Sequence, residues 1–202
     1  TRLGNGLAPL EPGETDTVII AGMGGDLICK ILKAKPEFLI EGKEFILQPQ
    51  SEWFKIRRLL KEYRYQIEKE WFLKEDGKYY VIIKAEPAWT QPQRLKHQQP
   101  SIHEYIKEIS DTQVNQAVSE KDMESIYEQY GKYLIETKNP VLKEYLEKEI
   151  VKKESIAAEL KLSIKEMESE ELSGKERGNI AKRQRRYQEI QKEIRDMRKA
   201  IG

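Results

Sequence analysis

The chain has 202 residues, 38% of them apolar and 35% charged, with a mean hydropathy of −0.75. That balance is too polar for one compact core of this size, so part of the chain should be elongated and solvent-rich. No apolar run approaches bilayer length, no stretch reads as a signal peptide, and the single Cys29 excludes an intramolecular disulfide; the expectation is a reducing, cytoplasmic setting without membrane contact.

The net charge of +1 conceals a pattern. Residues 1–86 balance 14 basic against 14 acidic side chains; residues 140–172 carry six Lys against nine Glu; residues 173–202 carry ten basic against four acidic groups. An acidic segment is thus followed by a basic one.

In chain order, Gly4-Asn5-Gly6 reads as a turn with no strand or helix before it, and one apolar strand precedes Phe45. A sheet needs several strands to bury a face, so the chain is expected to be the later portion of a longer protein. Residues 18–21 read as a continuous buried parallel strand. Ala21, Gly22, Met23, Gly24 and Gly25 then form a glycine-rich corner, and a helix over 26–34 follows at once. Such corners lie at the carboxyl edge of an open α/β sheet, where ligands bind and missing Cβ atoms permit close approach. Residues 44–48 form a second short strand ending at Pro49; Ser51 reads as the N-cap of a helix through Tyr63 with Phe54, Leu59 and Leu60 on its apolar side. Residues 66–74 and 78–85 are extended runs separated by Asp76-Gly77, a hairpin signal. The predicted architecture of 1–86 is a parallel sheet with an antiparallel edge.

Residues 87–139, with Pro87, Pro92, Pro100 and several Gln, read as a linker carrying short helices at 102–109 and 122–130. His97 and His103 sit in that polar stretch and read as surface residues. Tyr127, Tyr130 and Tyr133 read first as packing residues and second as bases' stacking partners. Residues 140–202 carry two heptad-like stripes: Leu146, Ile150, Lys153, Ala157, Leu160, Ile164 and Met167, then Ile180, Arg183, Tyr187, Ile190, Ile194, Met197 and Ile201. With a break at Ser173-Gly174 they predict an antiparallel coiled-coil hairpin, acidic helix against basic helix.

Taken together, Arg2 to Leu7 (RLGNGL), VIIAGMGG followed by LI, ILQPQ, YGKYL and the NP at 139–140 resemble the bacterial tRNA (adenine-N1)-methyltransferases of the TrmK family, over most of the chain from Arg2 to about Leu160. The resemblance implies a Rossmann-like class I methyltransferase domain, here partial, followed by a coiled-coil domain. It implies S-adenosylmethionine as cofactor, tRNA as partner and N1 of adenine 22 as target. It places Gly4, Asn5 and Gly6 near the cofactor's adenine, and Ala21, Gly22, Met23, Gly24 and Gly25 facing the methyl donor. Gln48, Pro49 and Gln50 would border the substrate pocket. The family's usual third letter there is Asn, so Gln50 is a departure with longer reach. The family's glycine loop after its first strand and acidic residue after its second are not found in these residues, so the chain is expected to form only part of a cofactor site.

The implied chemistry asks little of residue types. Adenine N1 carries a lone pair in the neutral base, so the protein must hold it in line with the methyl, at roughly 3–3.5 Å. It must also extrude a base from its stack. No catalytic residue is nominated, and no metal cluster is expected from one Cys and two His. Asp26 reads as a favourable first-turn acid and Cys29 as a small buried hydrophobe. In the basic segment, Lys182, Arg185 and Arg186 are the candidates for tRNA backbone contact, whereas Arg183 falls on the seam. The competing function class is a non-enzymatic RNA-binding or scaffolding protein with a coiled-coil arm.

Overall fold

The computed structural model describes residues 1–88, 118–168 and 174–202. They form two compact units, Thr1–Thr137 and Lys138–Gly202.

The first unit is built on a four-stranded sheet. Strands β1 (Thr17–Met23) and β2 (Glu44–Pro49) run parallel, with Ile19 opposite Ile46 and Ala21 opposite Gln48. Helices α1 (Gly25–Ala34) and α2 (Pro36–Ile40) join them. Helix α3 (Trp53–Glu62) leads from β2 into an antiparallel pair, β3 (Tyr65–Glu75) and β4 (Lys78–Pro87). The spatial order is β1-β2-β4-β3, with β4 antiparallel to both neighbours. Between β3 and β4, Asp76 and Gly77 both take positive φ, 46° and 76°, as a type I′ turn requires. The expected parallel pair with an antiparallel edge is the observed arrangement.

One face of this sheet is the core. Val18, Ile20, Phe45, Leu47, Val81, Ile83 and Ala85 alternate along their strands and are buried, as are Ile28, Leu32, Phe38, Leu39, Ile56, Leu59 and Leu60 of the helices. The opposite face is less covered and mixed, with Ile19, Ile46 and Ile82 beside charged residues. There Lys84 pairs with Glu44 (3.0 Å), Glu68 (2.6 Å) and Glu86 (3.2 Å), and these bonds hold its ammonium above the usual lysine range.

Three expectations need correcting. Residues 18–21 are not continuously buried: Ile19 is 67% exposed, because β1 is the outer strand of the described sheet and only its inner face is covered. Ser51 does not cap α3; the N-cap is Glu52, in the left-handed region at φ 53°, and it makes no side-chain cap bond. The apolar side of α3 is led by Ile56, Leu59 and Leu60 rather than Phe54, which is half-buried. Helix α2 was not foreseen; Pro36 opens it and Phe38 and Leu39 are its fully buried residues.

Beyond the undescribed residues, α4 (Val118–Tyr130) and α5 (Lys132–Glu136) complete the first unit. The expected helix at 102–109 lies outside the described residues, as do His97 and His103. Tyr130 is buried, in keeping with a packing role, while Tyr127 is half-buried with Lys132 over its ring at 5.8 Å.

The second unit consists of α6 (Pro140–Glu168) and α7 (Gly174–Ile201), packed on each other. Asn139 Oδ1 accepts from the N–H groups of Val141 and Leu142, both at 3.0 Å, and so caps α6. Cross-helix partners run in opposite order (Glu154 with Arg198 at 2.5 Å, Lys153 with Glu193, Ser163 with Arg183), so the helices are antiparallel. Ile150, Ala157, Ile190, Ile194 and Met197 of the expected stripes are buried, whereas Leu160, Ile164, Met167 and Tyr187 are only half-buried. Among the described residues, no helix is long and apolar enough to cross a membrane.

Candidate functional site

The glycine corner and the loop after β2 are laced into one unit. The parallel ladder breaks after Ala21, with a register shift before Met23. Gly22 takes φ 79° at this point, and its N–H donates to Gln48 Oε1 at 2.8 Å. A side chain thereby replaces the ladder acceptor. Met23 C=O accepts from Gln50 N–H at 2.8 Å, and Gly25 N–H donates to Ser51 C=O at 2.9 Å. Trp53 Nε1 donates back to Pro49 C=O at 3.2 Å. The carbonyl of the expected cap residue, Ser51, is thus committed to the glycine corner.

The first turn of α1 is served from the same loop. Asp26 N–H donates to Glu52 Oε2 at 3.2 Å, and Lys55 bridges Asp26 (2.9 Å) and Glu52 (2.5 Å). Lys30 adds a bond to Asp26 at 2.8 Å. Lys30 first and Lys55 second hold the Asp26 carboxyl at about 2, below the usual carboxylate range. Gly25 is required for this approach: a Cβ on it would stand 2.6 Å from Glu52 C=O and 2.7 Å from Ser51 C=O. By contrast, a Cβ on Gly22 would meet nothing within 4 Å, so the corner is open on that side. Ala21, Gly22 and Met23 are exposed, and Gln48 Nε2 is buried without a hydrogen-bond partner.

The other predicted residues fall elsewhere. Gly6, at φ 56°, lies against Ile31 on α1, where a Cβ would come within 2.9 Å of Ile31 Cγ2. Ile31 is six residues beyond Gly25, roughly 9 Å along the helix. The loop holding Gly4 and Asn5 is tied by a two-pronged bond from Arg2 to Glu14 (2.5 and 2.7 Å) and by Lys35 Nζ donating to Leu10 C=O at 2.9 Å. Arg2 holds the Glu14 carboxyl at about 2. Asn5 itself is exposed. On α7, Lys182 and Arg185 are exposed, while Arg186 pairs with Glu189 (3.1 Å) and Glu193 (3.4 Å) of its own helix.

Sequence reasoning missed a buried ion pair. Arg57 of α3 donates from Nε to Glu70 Oε1 of β3 at 2.7 Å, with both side chains almost wholly buried. Arg57 Nη1 also donates to the carbonyls of Glu128 and Gln129, both at 3.0 Å, closing the C-terminus of α4. Burial pushes the Glu70 carboxyl up, against the pull of Arg57. Gly131, at φ 91°, sits directly over the pair, where a Cβ would overlap Glu70 Oε2 and lie 2.9 Å from Arg57 Nη2. An open cleft of about 910 Å³ beside this pair is lined by Tyr65, Tyr127 and Tyr133 among others.

Residues 1–127, which contain the corner and the loop that locks it, match the family described as TrmK, tRNA (adenine(22)-N(1))-methyltransferase. The chain belongs to that family. It is 34% identical over 146 residues to the tRNA (adenine(22)-N(1))-methyltransferase of Bacillus subtilis, covering 56% of this chain and 60% of the relative. The solved TrmK of B. subtilis, an M1A22 tRNA methyltransferase, superposes with a TM-score of 0.62 at 24% identity, over 100% of this chain and 69% of that one. The TrmK of M. capricolum, solved with the cofactor product S-adenosyl-homocysteine, gives a TM-score of 0.58 at 21% identity, over 100% and 67%. These two likenesses establish the Rossmann-like TrmK fold. The match spans about 60% of the length of the curated relative.

Proposed function

We propose that this chain serves S-adenosylmethionine-dependent methylation of N1 of adenine 22 in tRNA, the reaction named for its B. subtilis relative. The observation that carries the reading is the locking of the glycine corner to Gln48, Pro49 and Gln50 within the family match. A fixed corner beside a fixed loop is what an in-line transfer needs, since such reactions depend on holding partners in register.

The residues present fit a methyl-donor edge. Ala21, Gly22 and Met23 are exposed, Gly22 leaves room for close approach, and Gln48 offers an unpaired N–H. Gly24 and Gly25 shape the turn, and Gly4, Asn5 and Gly6 are assigned to the adenine side of the cofactor. When bound, S-adenosylmethionine supplies an electrophilic methyl. The chain's own task is to present adenine N1, which needs no deprotonation, against the corner, with Gln48, Pro49 and Gln50 bordering the base.

Helices α6 and α7 are read as an antiparallel coiled-coil arm that bears on the tRNA backbone. Lys182 and Arg185, exposed and basic, lead that contact; Arg186 contributes less, because Glu189 and Glu193 share its charge. The test is methyl transfer to unmodified tRNA by the protein as its gene encodes it, with the product mapped by mass spectrometry. Methylated adenine 22 is expected; cofactor and tRNA binding without methyl transfer would overturn the reading in favour of a non-enzymatic RNA-binding role.

A further inference from the structure

We propose that Asp26, Glu52 and Lys55 are positioning residues that hold the loop over 48–50 at a fixed height against the corner over 22–25. The inference rests on the functional reading above.

Three observations carry it. Glu52 takes φ 53°, a left-handed conformation that is unfavourable for a residue with a side chain. Such a conformation persists only where surrounding contacts impose it. Here the Glu52 carboxylate accepts from Asp26 N–H at 3.2 Å and from Lys55 at 2.5 Å, and Lys55 returns to Asp26 at 2.9 Å. A closed ring of three residues, two of its links between side chains and one from the Asp26 backbone N–H, therefore joins the start of α1 to the start of α3.

The second observation is where the ring sits. Immediately before Glu52, Ser51 C=O and the Gln50 N–H are bonded to Gly25 and Met23, and two residues earlier Gln48 holds Gly22. The ring closes the far end of this row of bonds, so releasing it frees the loop to hinge about Pro49.

The third is that the first-turn N–H of Asp26 already has an acceptor. A helix N-terminus at a glycine corner ordinarily invites an anionic ligand. Here Glu52 supplies the negative charge from within the chain, and the positive end of α1 is spent on fixing the loop. Approach to the corner is left to the Gly22 side, where space is open.

The test compares Glu52→Gly, Glu52→Gln, Lys55→Met and Lys55→Arg in the protein as its gene encodes it. Glu52→Gly is the decisive variant, because glycine takes the left-handed conformation freely and removes only the carboxylate. Expected are a fall in kcat of about 10-fold for Glu52→Gly and Lys55→Met, with KM for tRNA held within about twofold, and recovery of most of the loss in Lys55→Arg. Amide hydrogen exchange at Gly25 and Gln50 is expected to quicken in Glu52→Gly while the core of β2 stays protected. Unchanged kcat together with unchanged exchange overturns the proposal. A wild-type protein that does not methylate tRNA overturns the functional reading instead, and the exchange comparison then decides separately whether the ring clamps the loop.

Discussion

Arg57 Nε donates to Glu70 Oε1 at 2.7 Å, in a pair that solvent scarcely reaches, and the same guanidinium closes the last turn of α4. Removing one partner strands the other charge in the core. Arg57→Met is therefore expected to destabilise the first unit by about 3–5 kcal/mol, and the double variant Arg57→Met with Glu70→Leu by less than the single. Urea unfolding of the single and double variants measures both; equal losses would show that helix closure, not the buried charge, dominates.

Gly131 makes that pair possible. Its φ of 91° and the overlap that a Cβ would create with Glu70 leave no room for alanine. Gly131→Ala should cost at least about 2 kcal/mol, combining backbone strain with displacement of the pair. The check is the shift in urea midpoint, with Gly178→Ala as the control, since a Cβ there meets nothing within 4 Å.

The corner glycines should separate by mechanism. Gly25→Ala forces the Ser51 and Glu52 carbonyls away and is expected to lower methyl transfer on the order of 100-fold, since a displacement near 1 Å suffices for that. Gly22→Ala meets only backbone strain of about 1–2 kcal/mol and open space. Rates of tRNA methylation by the two variants, compared with their thermal stabilities, decide it.

Asp26 predicts an acid limit. Its carboxyl titrates at about 2 in the folded chain, below the ordinary aspartate range, because Lys30 and Lys55 favour the charged form. The sign follows from linkage: the stabilisation is present above the unfolded-state value and is lost as pH falls through the folded one. Stability should therefore decline from about pH 4 towards pH 2, and Asp26→Asn should flatten that part of the profile. Salt should weaken the effect, because the group faces solvent.

On α7, changing Lys182, Arg185 and Arg186 together to Glu should weaken tRNA binding and flatten its dependence on salt by about one logarithmic unit per lost phosphate contact. Filter binding across a salt series, with circular dichroism to confirm helicity, tests it. Among single changes, Arg185→Glu should exceed Arg186→Gln, whose charge is already shared with two glutamates.

What was legible in the sequence was local. The strand–glycine–helix corner and the Asp76-Gly77 hairpin each follow from residues a few positions apart. What was not legible is carried across long separations. Arg57 reads as a surface residue of a charged helix until Glu70, in the next strand, is placed beside it. Ser51 has the chemistry of an N-cap, but Gly25 claims its carbonyl from 26 residues away in the chain, and the cap passes to Glu52. Helix α2, five residues long, is too short to show a period. At the candidate site, Gly22 and Gln48 were each recognisable, whereas the bond between them was not.

That bond has a consequence for how the site can vary. The rungs of a sheet join backbone to backbone and, proline apart, are the same for every residue, so a side-chain substitution does not lengthen or shorten one. At Gly22, however, the β1 N–H ends on the Gln48 side chain. The length of this rung is thus set by the side chain at residue 48: asparagine would draw Gly22 inward by one methylene, and leucine would erase the rung. Position 48 therefore bears on where Gly22 stands, while Met23 and Gly25 are held by backbone bonds to Gln50 and Ser51.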